Sequence, residues 1–387
     1  MQDQNRRLWQ ELNGLRPVRP LVMISEVPWH EMNVDQELTT TTSDPFCLTW
    51  ETSLRRTLYA WRHFPVDDVV EAVVYVPKTI RMTGFGLEVE ERTISVDREN
   101  EIVSHGYRDQ LARTADVDKI RTPELTLDLE ATARDEARAH EIFDGILQVH
   151  MQGSLPDFWL WDEIVRLRGA EAVLLDFVDR PDHMHRIASR YTEANLEMLD
   201  QLEEKGLLGY NQPLIHVTGA WTDELPAPGF DPMKPRAKDN WTSGASQILG
   251  SVSKSMYEEF EIEYVARWHA RFGLSNYGCC DPLHHRIDLV RRIPNVRKIS
   301  MSPWANVDAG AEAIGRDYVF SWKPNPAVLA MDRLDFRVVE ADVRHTLEAC
   351  GRNQCPLSIT LKDISTVRHH PERIWEWAAI VSGLVGR

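Results

Sequence analysis

The sequence predicts an α/β fold, a (β/α)8 TIM barrel, on three observations. Short apolar runs alternate with longer stretches of helical periodicity, most clearly in the second half of the chain. This alternation is typical of βα units that build a parallel sheet. Eight such runs can be counted, which is the number of strands in that barrel. No Gly-x-Gly-x-x-Gly motif follows the first run, which disfavours the alternative of an open doubly wound sheet. We therefore interpret residues 1–387 as one elaborated barrel domain.

The predicted strands are short runs of apolar and β-branched residues bounded by turn-forming residues. In chain order they are Pro20–Ser25, Val69–Val76, Ile146–Met151, Leu214–Thr218, Leu274–Cys280, Val296–Met301, Asp317–Trp322 and Leu357–Lys362. Helices are predicted where apolar residues recur at helical spacing. The clearest of them are Asp182–Lys205, Ser253–Arg271, Asp308–Ile314, Val338–Ala349 and Pro371–Leu384.

Two segments depart from this alternation. Residues 78–105 contain Thr93–Val96 and Ile102–Ser104, which predict a small β insertion after the second strand. Residues 223–235 hold four prolines and follow the predicted fourth strand. Proline restricts the backbone and interrupts helices, so this second segment predicts a loop, placed where a barrel has its active-site loops.

The composition disfavours several classes of protein. The chain has 60 acidic against 44 basic residues, a formal net charge of −16, which argues against nucleic acid as a partner. It contains no apolar run long enough to predict a membrane span, and its first residues lack the apolar core of a secretory signal. Five cysteines are too few for a disulfide scaffold, and the odd number suits a reducing compartment. We expect a cytoplasmic protein that acts on a small molecule.

Barrel enzymes carry their active sites at the carboxyl ends of the strands, so the residues that end or follow each predicted strand are the candidates. In chain order they are Glu26, Trp29, His150, His216, Trp221, Cys279, Cys280, Trp304, Trp322, Lys323, Lys362 and Asp363. Four of the chain's 13 tryptophans are among them. These four tryptophans either fill the mouth of the barrel as core residues or line a substrate pocket.

The histidines and lysines also have structural alternatives. A lone strand histidine, such as His150 or His216, is more often a structural residue than a ligand. Lys323 and Lys362 either form ion pairs with neighbouring aspartates or bind an anionic or phenolic group. We predict that His150 and Lys323 bind substrate together with the four tryptophans, and that Lys362 is catalytic.

The adjacent cysteines Cys279 and Cys280 are the sharpest local feature. Thiolates are ligands for Zn²⁺ and are nucleophiles, but two buried cysteines can also be no more than small apolar residues. Successive strand residues point to opposite faces, so both thiols share a site only if the strand has already ended. Catalytic zinc needs further ligands, for which His216 and Asp363 are the best placed.

Three stretches resemble the uroporphyrinogen decarboxylase-like superfamily. They are the first-strand segment RPLVMISEVPWHEM, the helix Ser253–Tyr264 followed by Tyr277–Leu283, and the final LKDISTVRHHPERIWEW. The resemblance runs over nearly the whole chain and implies a (β/α)8 barrel. True decarboxylases of the superfamily carry an arginine-rich N-terminal motif and a catalytic aspartate after the second strand. This sequence has Glu26–Trp29 and Val76–Lys78 at those places, which argues against porphyrinogen decarboxylation.

The other branch of the superfamily transfers methyl groups to or from corrinoid proteins or thiols with the help of zinc. Its coenzyme M enzymes end the fifth strand with His-x-Cys and place a second cysteine after the eighth. Here the corresponding residues are Tyr277–Cys279 and Lys362-Asp363, so only one cysteine of that pattern is kept. The resemblance therefore implies either no zinc or a different ligand set.

These observations lead to the hypothesis of a methyltransferase. It would move a methyl group from a small methoxylated aromatic compound to a corrinoid carried by a separate protein. Phenoxide is a poor leaving group, so Zn²⁺ on Cys279 or Cys280, or a lysine such as Lys362, would stabilise its charge. Glu26 and Asp363 complete the predicted catalytic set. The alternatives are a metal-free decarboxylase or lyase acting on a small anionic substrate, and a barrel that only binds a ligand.

Overall fold

The computed structural model of the protein describes residues 2–94 and 103–387. In chain order the strands are β1 Leu21–Ile24, β2 Val73–Pro77, β3 Ile80–Met82, β4 Glu91–Ile94, β5 Ser104–Tyr107, β6 Leu125–Leu127, β7 Gln148–Gln152, β8 Leu214–Ile215, β9 Thr218–Gly219, β10 Trp241–Gly244, β11 Leu274–Tyr277, β12 Val296–Met301, β13 Val319–Trp322 and β14 Leu357–Leu361. None of the described helices is long and apolar enough to cross a membrane.

The α-helices surround these strands. They are α1 Gln2–Asn13, α2 Trp29–Met32, α3 Pro45–His63, α4 Leu129–Phe143, α5 Leu160–Arg168, α6 Ala170–Asp179, α7 Pro181–Glu204, α8 Lys254–Tyr257, α9 Glu263–His269, α10 Ile287–Val290, α11 Val307–Ile314, α12 Phe336–Asn353 and α13 Glu372–Leu384. A π-helical turn, Glu258–Ile262, joins α8 to α9. Short 3-10 helices are Thr114–Lys119, Ala237–Asp239, Gln247–Ser251, Leu283–His285 and Pro326–Ala330.

The main sheet has six parallel strands in the order β1-β14-β13-β12-β11-β10, and β2 pairs in parallel with β7. Within residues 2–94 and 103–387, β1 does not pair with β2, nor β7 with β10. The α/β class is therefore confirmed, and a ring of eight paired strands is not seen in the described residues. A largely apolar cavity of about 1370 Å³ lies at the first gap, lined by residues that include Met23 of β1 and Tyr75 of β2.

The predicted fourth strand is wrong. Leu214–Thr218 is not a barrel strand: β8 and β9 form a short antiparallel hairpin, turning at His216 and Val217. The strand that extends the main sheet at this point is β10, which pairs with β11. Its sequence Trp-Thr-Ser-Gly lacks an apolar run, and the hydroxyl group of Thr242 is hydrogen-bonded inside the protein. The Trp268 indole, for example, donates to the Thr242 hydroxyl at 2.8 Å.

The insertion after the second strand contains two antiparallel pairs, β3 with β6 and β4 with β5. The predicted strands Thr93–Val96 and Ile102–Ser104 lie partly outside the described residues, which omit 95–102. The described flanks, Glu91–Ile94 and Ser104–Tyr107, pair with each other. A β insertion is thus confirmed where it is described, and it reaches further along the chain than predicted.

The two faces of the main sheet differ in chemistry. Side chains alternate between faces along a strand, and the outer set, which includes Ile299, Phe320 and Ile359, packs into the main apolar core with the helices. Burial of this apolar surface is the main stabilising contribution to the fold. The inner set, in contrast, includes Ser300 and Ser321, which are fully buried. The interior is therefore polar along β12, β13 and β14, whereas Leu21 and Met23 of β1 form an apolar cluster there with Val319.

Candidate functional site

Five predicted residues come together at the carboxyl ends of β1, β11 and β14. Because Ile24 of β1 pairs with Leu361 of β14, the residues that follow these two strands are neighbours. We call Glu26, Cys279, Cys280, Lys362 and Asp363 the thiol–lysine cluster. Strand β11 ends at Tyr277, and the chain turns at Gly278 with a φ of +94°. Both cysteines therefore lie beyond the strand and point to one site.

The Lys362 ammonium lies at the centre of the cluster. Its Nζ is 2.9 Å from Asp363 Oδ2 and 3.8 Å from Glu26 Oε2. It also donates to Cys279 Sγ at 3.4 Å. The two thiols are 3.5 Å apart, and Cys280 Sγ is 3.6 Å from Asp363 Oδ2. One cation thus faces two carboxylates and two sulfur atoms.

The backbone at both carboxylates is held in an unusual conformation. Glu26 has a φ of +51° and Asp363 a φ of +54°, in the left-handed region that residues other than glycine rarely adopt. The Asp363 N–H donates to Glu26 Oε2 at 3.0 Å, which links the two turns. Such strain persists only where the surroundings enforce it, and it is concentrated at functional sites.

The charges of the cluster shift its pKa values. The hydrogen bond from Cys279 lowers the pKa of Cys280, and Lys362 adds to this effect against the opposing burial. The same thiol–thiol bond, together with burial, raises the pKa of Cys279. Burial acts to lower the pKa of Lys362, but the surrounding thiols and carboxylates outweigh it and raise that pKa. Lys362 is therefore a persistent cation, and Cys280 is the thiol that ionises more readily.

The predicted zinc ligands do not form a zinc site in this arrangement. Among residues 2–94 and 103–387, no group of three or more His, Cys, Asp or Glu side chains is placed to hold a metal ion. Lys362 takes the position beside Cys279 Sγ that a cation would otherwise take. Zinc would need Lys362 to move away from Cys279, because a tetrahedral site needs several protein ligands at about 2.0–2.3 Å.

His216 lies at the tip of the β8–β9 hairpin. Its φ of +39° and the φ of +61° of Val217 form a turn normally made by glycine and asparagine. Burial, followed by the charges of Lys323 and Lys362, lowers the pKa of His216 to about 3. Its Nε2 is buried without a hydrogen-bond partner among the described residues. The hairpin thus brings a neutral imidazole close to the lysines of the site.

The four predicted tryptophans have different surroundings. Trp29 begins α2 and lines a cavity of about 690 Å³ next to the cluster. Trp304 is 70% exposed, and Trp322 is buried in the main core on the outer face of the sheet. Trp221 lies beside α1, with the Arg6 guanidinium carbon 4.4 Å from the centroid of its ring. Trp29 shares its cavity with Glu26 and Asp363 of the thiol–lysine cluster.

The 690 Å³ cavity is bounded by both carboxylates of the cluster, Glu26 and Asp363, and by the Trp29 ring. The Arg56 guanidinium carbon lies 5.3 Å from the centroid of that ring. Glu31 of α2 accepts hydrogen bonds from the loop after β14, including the Val367 N–H at 2.7 Å. A cavity of this size accommodates a small aromatic molecule. Because Glu26 and Asp363 form part of its wall, a bound molecule would lie next to the cluster.

The remaining predicted residues, His150 and Lys323, also face inward. His150 Nε2 is 3.1 Å from Gln152 Oε1, and its ring packs edge-on against Tyr75 and Tyr210. It lies on the β2–β7 pair, whereas the residues of the cluster follow β1, β11 and β14. Lys323 follows β13, is 1% exposed, and donates to Ser321 Oγ at 2.9 Å.

A buried acidic group behind the cysteines was not identified from the sequence. Glu261, in the π-helical turn, accepts hydrogen bonds from Ser246 Oγ at 2.6 Å and the Tyr277 hydroxyl at 2.9 Å. Asp281 is buried too, and its Oδ1 accepts from the Cys279 N–H at 3.2 Å. These contacts support the loop that carries the thiols. π-helical turns often occur at functional sites, but the sequence carries no signal for one here.

Replacing Glu261 by glutamine should flatten the dependence of stability on pH. Burial raises the pKa of Glu261 to about 8, far above that of an exposed glutamate. The folded protein therefore holds a proton that the unfolded chain releases, so this stabilisation is full below pH 4.5 and is lost as the pH rises towards 8. Melting temperatures of the wild type and of Glu261→Gln, measured between pH 5 and 9, test this expectation. Equal slopes for the two proteins would contradict it.

Comparisons with known proteins show a likeness in fold. No family model matches the chain, and no curated protein matches it in sequence. The solved structure of a methyltransferase from Methanosarcina mazei has a similar fold, with a TM-score of 0.55 and 10% sequence identity. The match covers 98% of this chain and 98% of the other. It shows a shared fold along the whole length, and membership in the uroporphyrinogen decarboxylase-like superfamily stays a prediction.

Proposed function

We propose that the protein is a methyltransferase that takes a methyl group from a small methoxylated aromatic compound and passes it to a corrinoid carried by a partner protein. The thiol–lysine cluster, set beside a tryptophan-walled cavity at the carboxyl ends of the strands, carries this proposal. The fold shared with a methyltransferase supports it. A barrel of eight βα units remains part of the proposal.

The chemical problem is the cleavage of the bond between the methyl carbon and the ether oxygen. The electron pair of that bond stays on the oxygen, which leaves as a phenoxide, while the acceptor supplies the pair for the new bond to the methyl group. Lys362 is placed to stabilise the phenoxide by donating a hydrogen bond to it, and the phenoxide takes its proton from solvent after release. Glu26 and Asp363 keep Lys362 protonated and fix its position.

The cavity would orient the substrate and exclude water. The face of Trp29 offers a stacking surface for an aromatic ring. Arg56 beside that ring adds a positive charge at the outer rim. Holding the ring in one position brings the methoxy group to the cluster in a reactive geometry, which by itself contributes several kcal/mol to catalysis.

Zinc, if present, would act as a Lewis acid on the ether oxygen. Cys279, Cys280 and His216 remain its proposed ligands, on the condition that Lys362 moves. Metal analysis of the purified protein decides this part. About one zinc per chain that is lost in Cys280→Ala supports a metal site. Absence of zinc from a fully active preparation rejects it and leaves the charge stabilisation to Lys362.

A metal-free decarboxylase or lyase is the second candidate function. It is favoured by one observation, namely that two buried lysines, Lys323 and Lys362, lie at the carboxyl ends of β13 and β14. Such an enzyme would use Lys323 or Lys362 for acid–base chemistry on a small anionic substrate.

A turnover assay distinguishes the two functions. The purified protein is incubated with a panel of methoxylated benzenes and benzoates and with reduced cobalamin as a surrogate acceptor. Methyl transfer is followed by the visible spectrum of the corrinoid and by loss of the methoxy compound. Formation of the demethylated phenol supports the methyltransferase. Release of carbon dioxide from the benzoates, with the methoxy group intact, would instead indicate the decarboxylase.

A further inference from the structure

Small hydroxyl side chains line the inner face of the main sheet, where barrels usually pack branched apolar residues. Ser300 lies beside Ser321 in the register of β12 and β13, and Ser321 lies beside Ser358 in that of β13 and β14. All three are fully buried. Along β12, β13 and β14 these side chains are too polar and too small to form an ordinary apolar barrel core. The neighbouring strand β1 contributes the apolar Leu21 and Met23 to the same face.

One lysine projects among these hydroxyl groups. The Lys323 N–H donates to the Met301 carbonyl at 2.8 Å, so Lys323 continues the strand register by one residue. That register places Lys323 level with Ser302 on one side and Thr360 on the other. Its ammonium donates to Ser321 Oγ, and within the part of the chain that the structure describes it forms no ion pair with a carboxylate. A buried cation without an anion is costly to the fold.

Several hydroxyl groups around this lysine also have no partner. Ser300, Ser302 and Thr360 are fully buried, and their Oγ atoms make no hydrogen bond within residues 2–94 and 103–387. Buried hydroxyl groups are normally hydrogen-bonded, because leaving one unpaired costs free energy. Three of them near one buried ammonium therefore indicate a place prepared for a hydrogen-bond acceptor.

The floor of this region is closed by a second buried lysine. The Lys298 ammonium donates to the Gly219 carbonyl and lies 5.0 Å from the centroid of the Trp9 ring. Above the region lies Lys362 with its thiols and carboxylates. A ligand would thus enter from the side of the cluster and stop above Lys298.

We propose that Lys323, Ser300, Ser302 and Thr360 form an inner pocket that binds an oxyanion, either the carboxylate of the substrate or a small inorganic oxyanion. One ammonium and three hydroxyl groups match the negative charge and several lone pairs of such a ligand. Burial and the charge of Lys362 lower the pKa of Lys323 to about 7, and a bound anion would restore its full charge. If the ligand is the substrate, it is a small aromatic carboxylate, and this part alone rests on the proposed function.

Calorimetric titration of the full-length protein tests the pocket without any methyl transfer. Sodium benzoate and its neutral isostere benzamide are compared at constant ionic strength, and sodium sulfate is titrated in parallel. We expect benzoate to bind at least about tenfold more tightly than benzamide, because it alone makes charge-assisted hydrogen bonds. Competition by sulfate indicates a pocket open to free oxyanions, and no competition indicates the substrate carboxylate. Equal binding of benzoate and benzamide, with no sulfate binding, overturns the proposal.

Variants test whether the preference for benzoate over benzamide depends on Lys323. Lys323→Met should abolish the preference for benzoate, and without ligand it should raise the melting temperature, because it removes an unpaired buried charge. Lys254→Met, at a lysine that is paired with Asp288 on the surface, is the matched control and should change neither quantity. A second variant that joins Ser302→Ala to Thr360→Val should weaken benzoate binding with Lys323 intact. A Lys323→Met protein that keeps the preference, or that melts at a lower temperature, overturns the assignment.

Discussion

Replacement of Lys362 by methionine should lower the rate of methyl transfer by about 10²–10³, since removal of one group that stabilises charge in a transition state has an effect of that size. Lys362 is the cation shared by Cys279, Asp363 and Glu26. Methionine keeps most of the length of the side chain and removes its charge. The rate is measured with a saturating methoxylated substrate, so that the chemical step rather than binding is compared.

The same variant should change the chemistry of the neighbouring thiols. Lys362 lowers the pKa of Cys280, so loss of the lysine should slow alkylation of Cys280 by iodoacetamide near pH 8. Lys362→Arg keeps the charge, so its rates of methyl transfer and of Cys280 alkylation should both stay closer to those of the wild type. Lys254→Met serves as the surface control. A Lys362→Met protein with unchanged turnover and unchanged alkylation would remove Lys362 from the reaction.

Replacement of Trp268 by alanine should reduce the free energy of unfolding by about 3–5 kcal/mol, the usual cost of removing a buried tryptophan side chain. Trp268 is fully buried and its ring lies 5.3 Å from those of both Phe158 and Phe272. Its indole also donates to the Thr242 hydroxyl of β10 at 2.8 Å. The variant therefore leaves a cavity behind a strand that has few apolar residues. It also removes one hydrogen bond of the Thr242 hydroxyl, which keeps the bond that it donates to the Pro156 carbonyl.

The matched control is Trp304→Ala, at a tryptophan that is 70% exposed. Its effect should stay within about 0.5 kcal/mol, as for most surface substitutions. Urea unfolding of both variants, followed by far-ultraviolet circular dichroism, gives the two differences. Equal losses of stability would show that the packing around Trp268 contributes far less than its burial implies.

Most of the fold could be predicted from the alternation of apolar runs and helical patterns. The fourth strand is the exception, because the sequence predicts it at Leu214–Thr218 and the structure has it at β10. The run Leu214–Thr218 has the alternation of a strand, but the chain turns inside it at His216 and Val217. Neither residue is a usual turn former, so no turn signal was present. The true strand, Trp241–Gly244, is stabilised by internal hydrogen bonds rather than by an apolar run, so the pattern missed it.

The centre of the site was predictable because carboxyl strand ends converge in a parallel sheet. Glu26, the two cysteines and the Lys362-Asp363 pair meet for this reason. The sequence analysis predicts both Trp322 and Lys323 as substrate-binding residues. Successive strand residues point to opposite faces of a sheet, however, so one of the two must point away from the interior. Glu261 was missed because an acidic residue in a charged helix normally faces solvent. Its burial follows from the π-helical turn and from the tyrosine behind it.

A single-turnover methyl-transfer assay tests the central claim, that the thiol–lysine cluster is the site of the reaction. The wild type is compared with Cys280→Ala, with Lys362→Met and with Cys355→Ala, a control at a buried cysteine of the main core. The account predicts a transfer rate near that of the wild type for Cys355→Ala. It predicts a rate lower by about two orders of magnitude for Lys362→Met, and a loss of the same size for Cys280→Ala if the protein holds zinc at this thiol. Wild-type rates in both cluster variants, with the fold intact, would contradict it.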